Sequence, residues 1–337
     1  MATLFPIIAA MNPPFPILGL AELTMRINAP LAPYQQSYFA MFSSVLGGII
    51  TDPRLMIVPA DDHLVHRGDG VFDTAKCVAG NLYNLEAHLD RLEHSGAHIK
   101  LAAPLERAAL RAAVIATVRA GGRRDCLVRI LLGRGPGSLG INPRDCPRAS
   151  LYILAYAGQP PFMTAHPGGA RLITSRVPVK SGFFATIKTV NYLPNALMKL
   201  EAAEAGVDFA VAFDDAGHLA EGATENFGIV TADRRLCVPG PERILVGTTM
   251  NRALELADEL LRADSLKAIE RRAITRAEAL AAAEVLIFGT TPDVTSVVEW
   301  DGQRIGDGRP GVIGAALNLR LQRDQRENTA LLTPVWP

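Results

Sequence analysis

Two hydrophobic periodicities alternate along this chain, and together they predict a mixed α/β fold. Residues 84–99 place Leu85, Leu89 and Leu92 on one face of a predicted helix. Residues 126–133, CLVRILLG, form instead a short and almost continuous apolar run that predicts a strand. The chain contains no internal repeat, so these segments are interpreted as single elements of an α/β (or α+β) protein.

The same patterns assign elements to most of the remaining chain. Predicted strands are 55–59, 150–156, 171–174, 227–230, 284–289 and 295–300. Predicted helices are 105–120, 194–206, 250–263 and 310–324, and residues 208–222 are predicted to form a hairpin.

A stretch rich in proline and glycine, GQPPFMTAHPGG at 158–169, is the predicted linker between two domains. A length of 337 residues suits such a division. We therefore predict an N-terminal arm at 1–35, a small α/β domain at 36–157 and a larger α/β domain at 170–337.

Composition narrows the possible partners and the compartment. Acidic and basic residues number 34 each, which argues against binding to nucleic acid or to an anionic membrane. The apolar N-terminus has no basic residue before its hydrophobic part and is broken early by prolines, so no signal peptide is predicted. The four cysteines form no Cys-x-x-Cys pair and no histidine cluster has metal-ligand spacing. A cytoplasmic protein without a metal site is expected.

Lys188 is the only charged residue in the apolar stretch FFATIKTVNYLPNAL, residues 183–197. Burial in such a setting, which we predict to be a strand, lowers the pKa of a lysine, and a neutral amine is a nucleophile that can form a Schiff base. The alternative is a lysine that buries its stem and keeps its ammonium group in water. That alternative is favoured when this stretch is considered alone.

Three further features change that balance. Glu221 follows the predicted hairpin and precedes a strand, where its carboxylate could pair with a protonated ring nitrogen. Gly-Thr-Thr occurs twice after an apolar run, at 247–249 before a predicted helix and at 289–291. Helix N-termini and threonine hydroxyls bind phosphate well, although an ordinary turn glutamate and simple N-capping are the alternatives. The Gly-Lys-Ser/Thr ending of a P-loop is absent.

A cation on the helix at 84–99 would complete a phosphate site. His88, Arg91 and Ser95 lie on the face away from the leucines, and an arginine can bind phosphate through two hydrogen bonds. The alternative is a solvated helix face. A lysine in an apolar setting, a placed carboxylate and a phosphate cradle are together what pyridoxal 5′-phosphate requires.

Long ordered motifs also carry a family resemblance. Residues 40–75, the stretch KTVNYLPNALMKLEA at 188–202 and the ending TALLTPVWP resemble the class IV aminotransferases, which are pyridoxal-phosphate enzymes of fold type IV. The chain is most similar to the group of plant-type D-amino acid transaminases and aminodeoxychorismate lyases. The resemblance implies a small N-terminal α/β domain, a larger C-terminal α/β pseudo-barrel domain, a cofactor between them and a homodimer.

The resemblance also implies roles for individual residues. Lys188 matches the Schiff-base lysine and Glu221 matches the partner of the pyridine nitrogen. Leu245 matches a residue that packs on the cofactor ring, and Tyr192 matches one that reaches the phenolic oxygen. The residues that match the phosphate site are Arg91, Thr248, Thr249 and Thr290, with Thr291 beside the last.

The chain departs from its relatives in the substrate pocket. Bacterial D-amino acid transaminases carry a tyrosine where this chain has Phe72, and their Pro-Arg-Asn-His clamp for the substrate carboxylate has no clean counterpart. Arg67, Arg134 and Arg144 are therefore hypothesised to hold that carboxylate, because of their charge and their position in predicted loops.

The predicted function is transfer of an amino group between a D-amino acid and a 2-keto acid. Aminodeoxychorismate lyase activity, which uses the same lysine and carboxylate, is one alternative. Transamination of branched-chain L-amino acids or of R-amines is another, and an inactive scaffold of the same fold is the non-enzymatic one. Small amino and keto acids are thus the expected partners.

Overall fold

The computed structural model describes residues 15–180 and 182–336 of the chain. The predicted arm at 1–35 therefore lies in part, over 1–14, outside the described residues. The rest of the arm contains the helix Leu20–Ile27, which buries none of its side chains.

Within these residues the helices are α1 (Leu20–Ile27), α2 (His63–His66), α3 (Leu85–His98), α4 (Arg107–Gly121), α5 (Phe162–Ala165), α6 (Leu193–Glu204), α7 (Thr248–Arg262), α8 (Arg276–Leu280) and α9 (Val312–Glu327). The strands are β1 (Tyr38–Ser43), β2 (Gly48–Ile50), β3 (Gly70–Val78), β4 (Asn81–Tyr83), β5 (Cys126–Gly133), β6 (Ser150–Tyr156), β7 (Ala170–Thr174), β8 (Phe209–Phe213), β9 (Leu219–Gly222), β10 (Asn226–Val230), β11 (Arg235–Val238), β12 (Ala268–Arg271), β13 (Glu284–Gly289), β14 (Asp293–Trp300), β15 (Gln303–Arg304) and β16 (Leu332–Pro334). Short 3₁₀ helices lie at Pro33–Ser37, Pro53–Leu55, Pro143–Asp145 and Gly182–Phe184.

The first sheet has seven antiparallel strands in the order β16-β4-β3-β5-β6-β1-β2. Helices α3 and α4 pack against it. Leu85, Leu89 and Leu92 of α3 are at most 1% exposed in this core, so the leucine face predicted from the sequence is confirmed. Burial of such a face stabilises the sheet and the helix together.

The second sheet has nine strands and closes on itself. Its order is β12-β11-β10-β13-β14-β7-β8-β9, with β15 beside β14, and β9 pairs again with β10 through Glu221 and Asn226. The pseudo-barrel that the family resemblance implies is therefore confirmed. Glu221 is held at the point where the barrel closes.

Residues 158–169 contribute no strand to either sheet and contain only the short helix α5. At the other end of the chain, β16 pairs with β4 in the first sheet. The last residues therefore return to the strands of residues 38–156, which differs from the predicted assignment of 170–337 to one domain.

Two local predictions are wrong. Residues 55–59 do not form a strand, because Asp52 accepts a hydrogen bond from the Arg54 backbone N–H and starts the 3₁₀ helix Pro53–Leu55. Lys188 does not lie in a strand either, since residues 185–188 connect a 3₁₀ helix towards α6 and only Thr189 makes an isolated bridge, to Val71.

Within the described part of the chain, we find no helix that is both long enough and apolar enough to span a lipid bilayer.

Glu284 provides a test of how the second sheet holds its covering helix. Its buried carboxylate accepts hydrogen bonds from the N–H groups of Ile313 (2.9 Å) and Gly314 (2.7 Å) at the start of α9. Glu284→Gln should lower the free energy of unfolding by about 1–3 kcal/mol, because a charged acceptor at a helix N-terminus is lost. Chemical denaturation measures this loss.

The matched control is Glu259→Gln, which removes an exposed ion pair with Arg320 on the surface. This variant should change stability by less than about 1 kcal/mol. Equal losses in the two variants would contradict the capping role of Glu284.

Candidate active site

A cavity of about 330 Å³ lies where the first sheet faces the closed sheet. Strands β3 and β5 supply one wall, and the loops after β9, before α7 and after β13 supply the other. Residues proposed from the sequence that lie on its wall are Phe72, Arg91, Lys188, Tyr192, Glu221, Leu245, Thr248, Thr249, Thr290 and Thr291.

The three arginines hypothesised to bind the substrate carboxylate lie elsewhere. Arg134 donates hydrogen bonds to both oxygens of Asp69, each 2.9 Å long, so its guanidinium is already paired. Arg67 donates to the carbonyls of Leu139 and Gly140, and Arg144 lies on the exposed 3₁₀ helix Pro143–Asp145. In the described chain none of them reaches the cavity wall.

The backbone of Lys188 is fixed from two sides. Its carbonyl accepts a hydrogen bond of 2.9 Å from the Phe72 N–H of β3. Its own N–H donates to the hydroxyl of Ser95 on α3, at 3.2 Å. The side chain is thereby aimed into the cavity without the support of a strand.

Lys188 is 8% exposed, and its amine does not reach bulk water. Its Nζ lies 4.8 Å from the centre of the Phe72 ring and 3.1 Å from the Tyr192 hydroxyl oxygen. Burial first, and then the charge of Arg91, lower the pKa of Lys188 to about 7. The solvated lysine considered as an alternative is excluded, and a large fraction of the amine is neutral near pH 7.

Tyr192 supports this amine as a neutral phenol. Burial and then the charge of Glu221 raise the pKa of Tyr192 above its ordinary value. The ring also packs edge to face against Phe72, with 4.8 Å between ring centres. The hydroxyl is therefore held beside Lys188 with its proton in place.

Glu221 lies on the opposite wall and is 8% exposed. One of its carboxylate oxygens accepts a hydrogen bond of 3.1 Å from the Leu245 N–H. Burial raises the pKa of Glu221, although the positive charge of Lys180 and the Leu245 N–H oppose that rise. A carboxyl group with raised proton affinity is suited to share a proton with a basic ring nitrogen.

Arg91 is held by a buried carboxylate. Asp73 is fully buried and accepts hydrogen bonds from Arg91 Nε (2.7 Å) and Nη2 (2.9 Å) and from His88 Nδ1 (2.7 Å). Burial opposes ionisation of Asp73, but the charges of Arg91 and His88 outweigh it and keep its pKa well below its usual range. His88 and Ser95 are both buried, so this face of α3 is not a solvated one.

Both Gly-Thr-Thr turns open onto the cavity. Gly247 precedes α7, so the free N–H groups of the first helical turn point to this region. The Thr248 hydroxyl caps no backbone group and is buried without a hydrogen-bond partner among the described residues. The capping interpretation therefore fails, and this unpaired hydroxyl at the positive end of a helix fits a phosphate group.

The sequence did not single out Thr74, Arg129 or Asn195, which also line the cavity. Thr74 on β3 is the direct cross-strand partner of Arg129 on β5. The signal for Arg129 was a lone charge in the apolar strand CLVRILLG. Asn195 donates to the Ala223 carbonyl at 2.6 Å, while its own side-chain oxygen is buried without a partner in the described residues.

The charge of Arg129 is not neutralised by any carboxylate of the described chain. Its guanidinium lies 5.5 Å from the ring centres of Phe72 and Tyr156. Aromatic rings can orient a guanidinium through cation–π contact without satisfying its five N–H donors. This group is therefore available to an anion in the cavity.

Comparison with known proteins gives one family. Residues 70–300 match the family model described as amino-transferase class IV. A D-amino-acid transaminase of Arabidopsis thaliana, named as chloroplastic, is 36% identical over 92% of this chain and 82% of its own. A protein of Methanocaldococcus jannaschii named a putative branched-chain-amino-acid aminotransferase is 32% identical over 82% of this chain and 94% of its own.

The fold is also similar to solved structures. A branched-chain amino acid aminotransferase whose source is abbreviated T.th., complexed with N-(5′-phosphopyridoxyl)-L-glutamate, superposes with a TM-score of 0.80 and 26% identity. The match covers 89% of this chain and 99% of that chain. The same enzyme with pyridoxamine 5′-phosphate gives a TM-score of 0.81 over the same shares.

The lowered pKa of Lys188 predicts how its amine reacts in the protein without cofactor. Acetic anhydride acylates only the neutral amine, so labelling of Lys188 should rise through a midpoint near pH 7, the pKa in the folded protein. Peptide mass spectrometry after short exposures between about pH 5 and pH 10, a range that brackets the folded and the ordinary lysine pKa, measures this profile.

The denatured protein is the control for that profile. The same lysine should there titrate near its ordinary pKa of about 10.4. A labelling rate that rises together in the folded and the denatured protein would contradict a buried, largely neutral amine.

Proposed function

Because the chain belongs to the class IV aminotransferases, we propose that it moves an amino group between a D-amino acid and a 2-keto acid, using pyridoxal 5′-phosphate. The similarity to the plant D-amino-acid transaminase, which extends over most of both chains, is the observation that carries the choice of a D-amino acid. Family resemblance further suggests that it works as a homodimer.

The residues of the cavity fit the proposed cofactor. When bound, pyridoxal 5′-phosphate supplies a ring that withdraws electrons from the Cα of an attached amino acid. The N-terminus of α7, with Thr248 and Thr249, would bind the phosphate together with Thr290 and Thr291. Arg91 adds positive charge on the same side.

Glu221 and Leu245 would hold the ring of the cofactor. The carboxyl of Glu221, with its raised pKa, holds a proton at the ring nitrogen, where positive charge makes the ring a better electron acceptor. The Leu245 N–H fixes the direction of that carboxyl, and the Leu245 side chain packs beside it on the cavity wall.

Lys188 would attach the cofactor and then act as the base. A neutral Nζ can accept the proton from the substrate Cα, and a pKa of about 7 allows the same amine to release that proton again at neutral pH. The Tyr192 hydroxyl, 3.1 Å away, orients Nζ, and Phe72 covers it from water.

Arg129 and Thr74 would bind the carboxylate of the substrate. The two side chains are cross-strand partners on the cavity wall. The Thr74 hydroxyl is buried without a partner in the described chain, and no carboxylate there pairs with Arg129. A guanidinium can grip a carboxylate through two parallel hydrogen bonds. This pairing favours amino acids over simple amines as substrates.

A branched-chain amino acid is the second candidate substrate. The archaeal relative and the solved structures carry that name. Leu131, Val190 and Phe288 on the cavity wall would accommodate an apolar side chain of either stereochemistry.

A substrate panel tests the proposal. D-alanine with 2-oxoglutarate should yield pyruvate and D-glutamate, resolved by chiral chromatography, and L-leucine should turn over at least about tenfold more slowly, a difference of about 1.4 kcal/mol in the barrier. Faster turnover of L-leucine would favour the branched-chain candidate. Release of pyruvate and 4-aminobenzoate from aminodeoxychorismate, without transamination, would overturn the proposal in favour of a lyase.

Borohydride reduction of the loaded enzyme provides the control for the role of Lys188. Peptide mass spectrometry should find the reduced cofactor on Lys188, and Lys188→Ala should carry none. Label on another lysine would contradict the assignment of this residue.

The carboxylate pocket predicts a second result. Arg129→Met should raise KM for D-alanine by about 10–100-fold, because a charged hydrogen bond worth about 1.5–3 kcal/mol is lost. Arg129→Lys should recover part of that loss, since it restores the charge but not the fork of donors. Steady-state kinetics measure both.

Arg144→Met is the matched control, because Arg144 is an exposed arginine away from the cavity. Its KM should equal that of the wild type. A raised KM in Arg144→Met with an unchanged one in Arg129→Met would reverse the assignment.

A further inference from the structure

A buried ion pair joins the two sheets behind the second Gly-Thr-Thr turn. Lys76 Nζ on β3 donates a hydrogen bond of 2.5 Å to Oδ1 of Asp293, the first residue of β14. Asp293 is fully buried and Lys76 is 9% exposed. Gln325 on α9 donates to the same oxygen at 2.8 Å. Three elements from both ends of the chain therefore converge on one carboxylate.

Asp293 closes the turn that presents Thr290 and Thr291 to the cavity. It pairs with Gly289 in the register of β13 and β14, and its φ of +57° lies in the left-handed region. A non-glycine residue there is unfavourable unless surrounding contacts hold it. The hydrogen bonds to its carboxylate supply such contacts, so they also fix the shape of the turn.

Strand β3 links this pair to the other phosphate-side cation. Asp73, which holds Arg91, precedes Lys76 on the same strand by three residues. Any movement of β3 relative to the closed sheet would displace Arg91 and the threonine turn together. Lys76 and Asp293 are themselves not part of the cavity wall within the described chain.

We propose that Lys76 and Asp293 are positioning residues that hold Thr290 and Thr291 in the geometry required to bind the phosphate of the cofactor. The inference rests on the proposed function, because it requires the threonine turn to face that phosphate. A buried ion pair contributes little net stability compared with apolar side chains of similar size. Its placement behind this turn is better explained by the fixed direction that it imposes.

The test compares two ligands of the protein without cofactor, pyridoxal 5′-phosphate and pyridoxal, which lacks the phosphate. Asp293→Asn keeps a side chain that tolerates positive φ and removes only the charge. This variant should raise Kd for pyridoxal 5′-phosphate about tenfold, as expected for loss of one well-placed charged hydrogen bond. Kd for pyridoxal should stay the same, so the preference for the phosphorylated ligand falls by the same factor. Fluorescence titration measures both constants.

Lys76 supplies an independent pair of variants. Lys76→Met should lower the preference as Asp293→Asn does, and the double variant should lose no more than either single one, since the two residues act as a unit. Lys76→Arg should restore most of the preference. These variants also keep the test valid if Asp293→Asn does not fold.

Asp324→Asn is the matched control. Asp324 is a buried carboxylate bonded to Arg252 and Tyr83, away from the threonine turn. It should reduce the stability of the protein and leave the ratio of the two Kd values unchanged.

The outcomes separate two failures. A wild-type protein without preference for the phosphorylated ligand would overturn the proposed phosphate site and this inference with it. A preference in the wild type that both Asp293→Asn and Lys76→Met retain would overturn this inference alone. Equal weakening of both ligands in these variants would do the same, since it would indicate a purely structural role.

Discussion

Burial of the Lys188 ammonium is unfavourable, because its charge loses the hydration that water supplies. The fold compensates by holding the backbone on both sides, through Phe72 on β3 and Ser95 on α3. The consequence is an amine with a pKa of about 7, which is neutral often enough to attack an aldehyde and to accept a proton. The rest of the cavity is arranged around this one atom, with Tyr192 within hydrogen-bond distance and Glu221 on the opposite wall.

Strand β3 carries most of that arrangement in one short segment. Val71 and Phe72 contact the segment of Lys188, Asp73 holds Arg91, and Lys76 holds Asp293. Alternation along the strand sends Phe72 and Thr74 to the cavity and Asp73 towards α3. One extended segment can therefore serve both the chemical and the phosphate side, because its two faces are held by different neighbours.

The parts of the site that the sequence predicted are those encoded by local order. Lys188 among apolar residues, Glu221 before a strand and threonines before α7 are recognisable from neighbours in the chain, and all of them line one cavity. The carboxylate pocket was missed, because Thr74 and Arg129 lie far apart in the sequence and meet only through strand register. Arg134 had the same charge but not the same availability, since Asp69 occupies it. The strand predicted at 55–59 failed for a local reason, which is the turn that Asp52 begins.

The partners of the cations indicate which anion each can receive. Arg91 and Lys76 are each bonded to a fully buried carboxylate, so their charges are largely compensated before any ligand arrives. Compensated cations of this kind fix geometry, and the positive end of α7 with its unpaired Thr248 hydroxyl is left to attract the phosphate. Arg129 has no such carboxylate partner in the described chain and faces the cavity beside two aromatic rings. Two anionic groups at opposite ends of a small cavity would satisfy both centres, and a cofactor phosphate with a substrate carboxylate provides them.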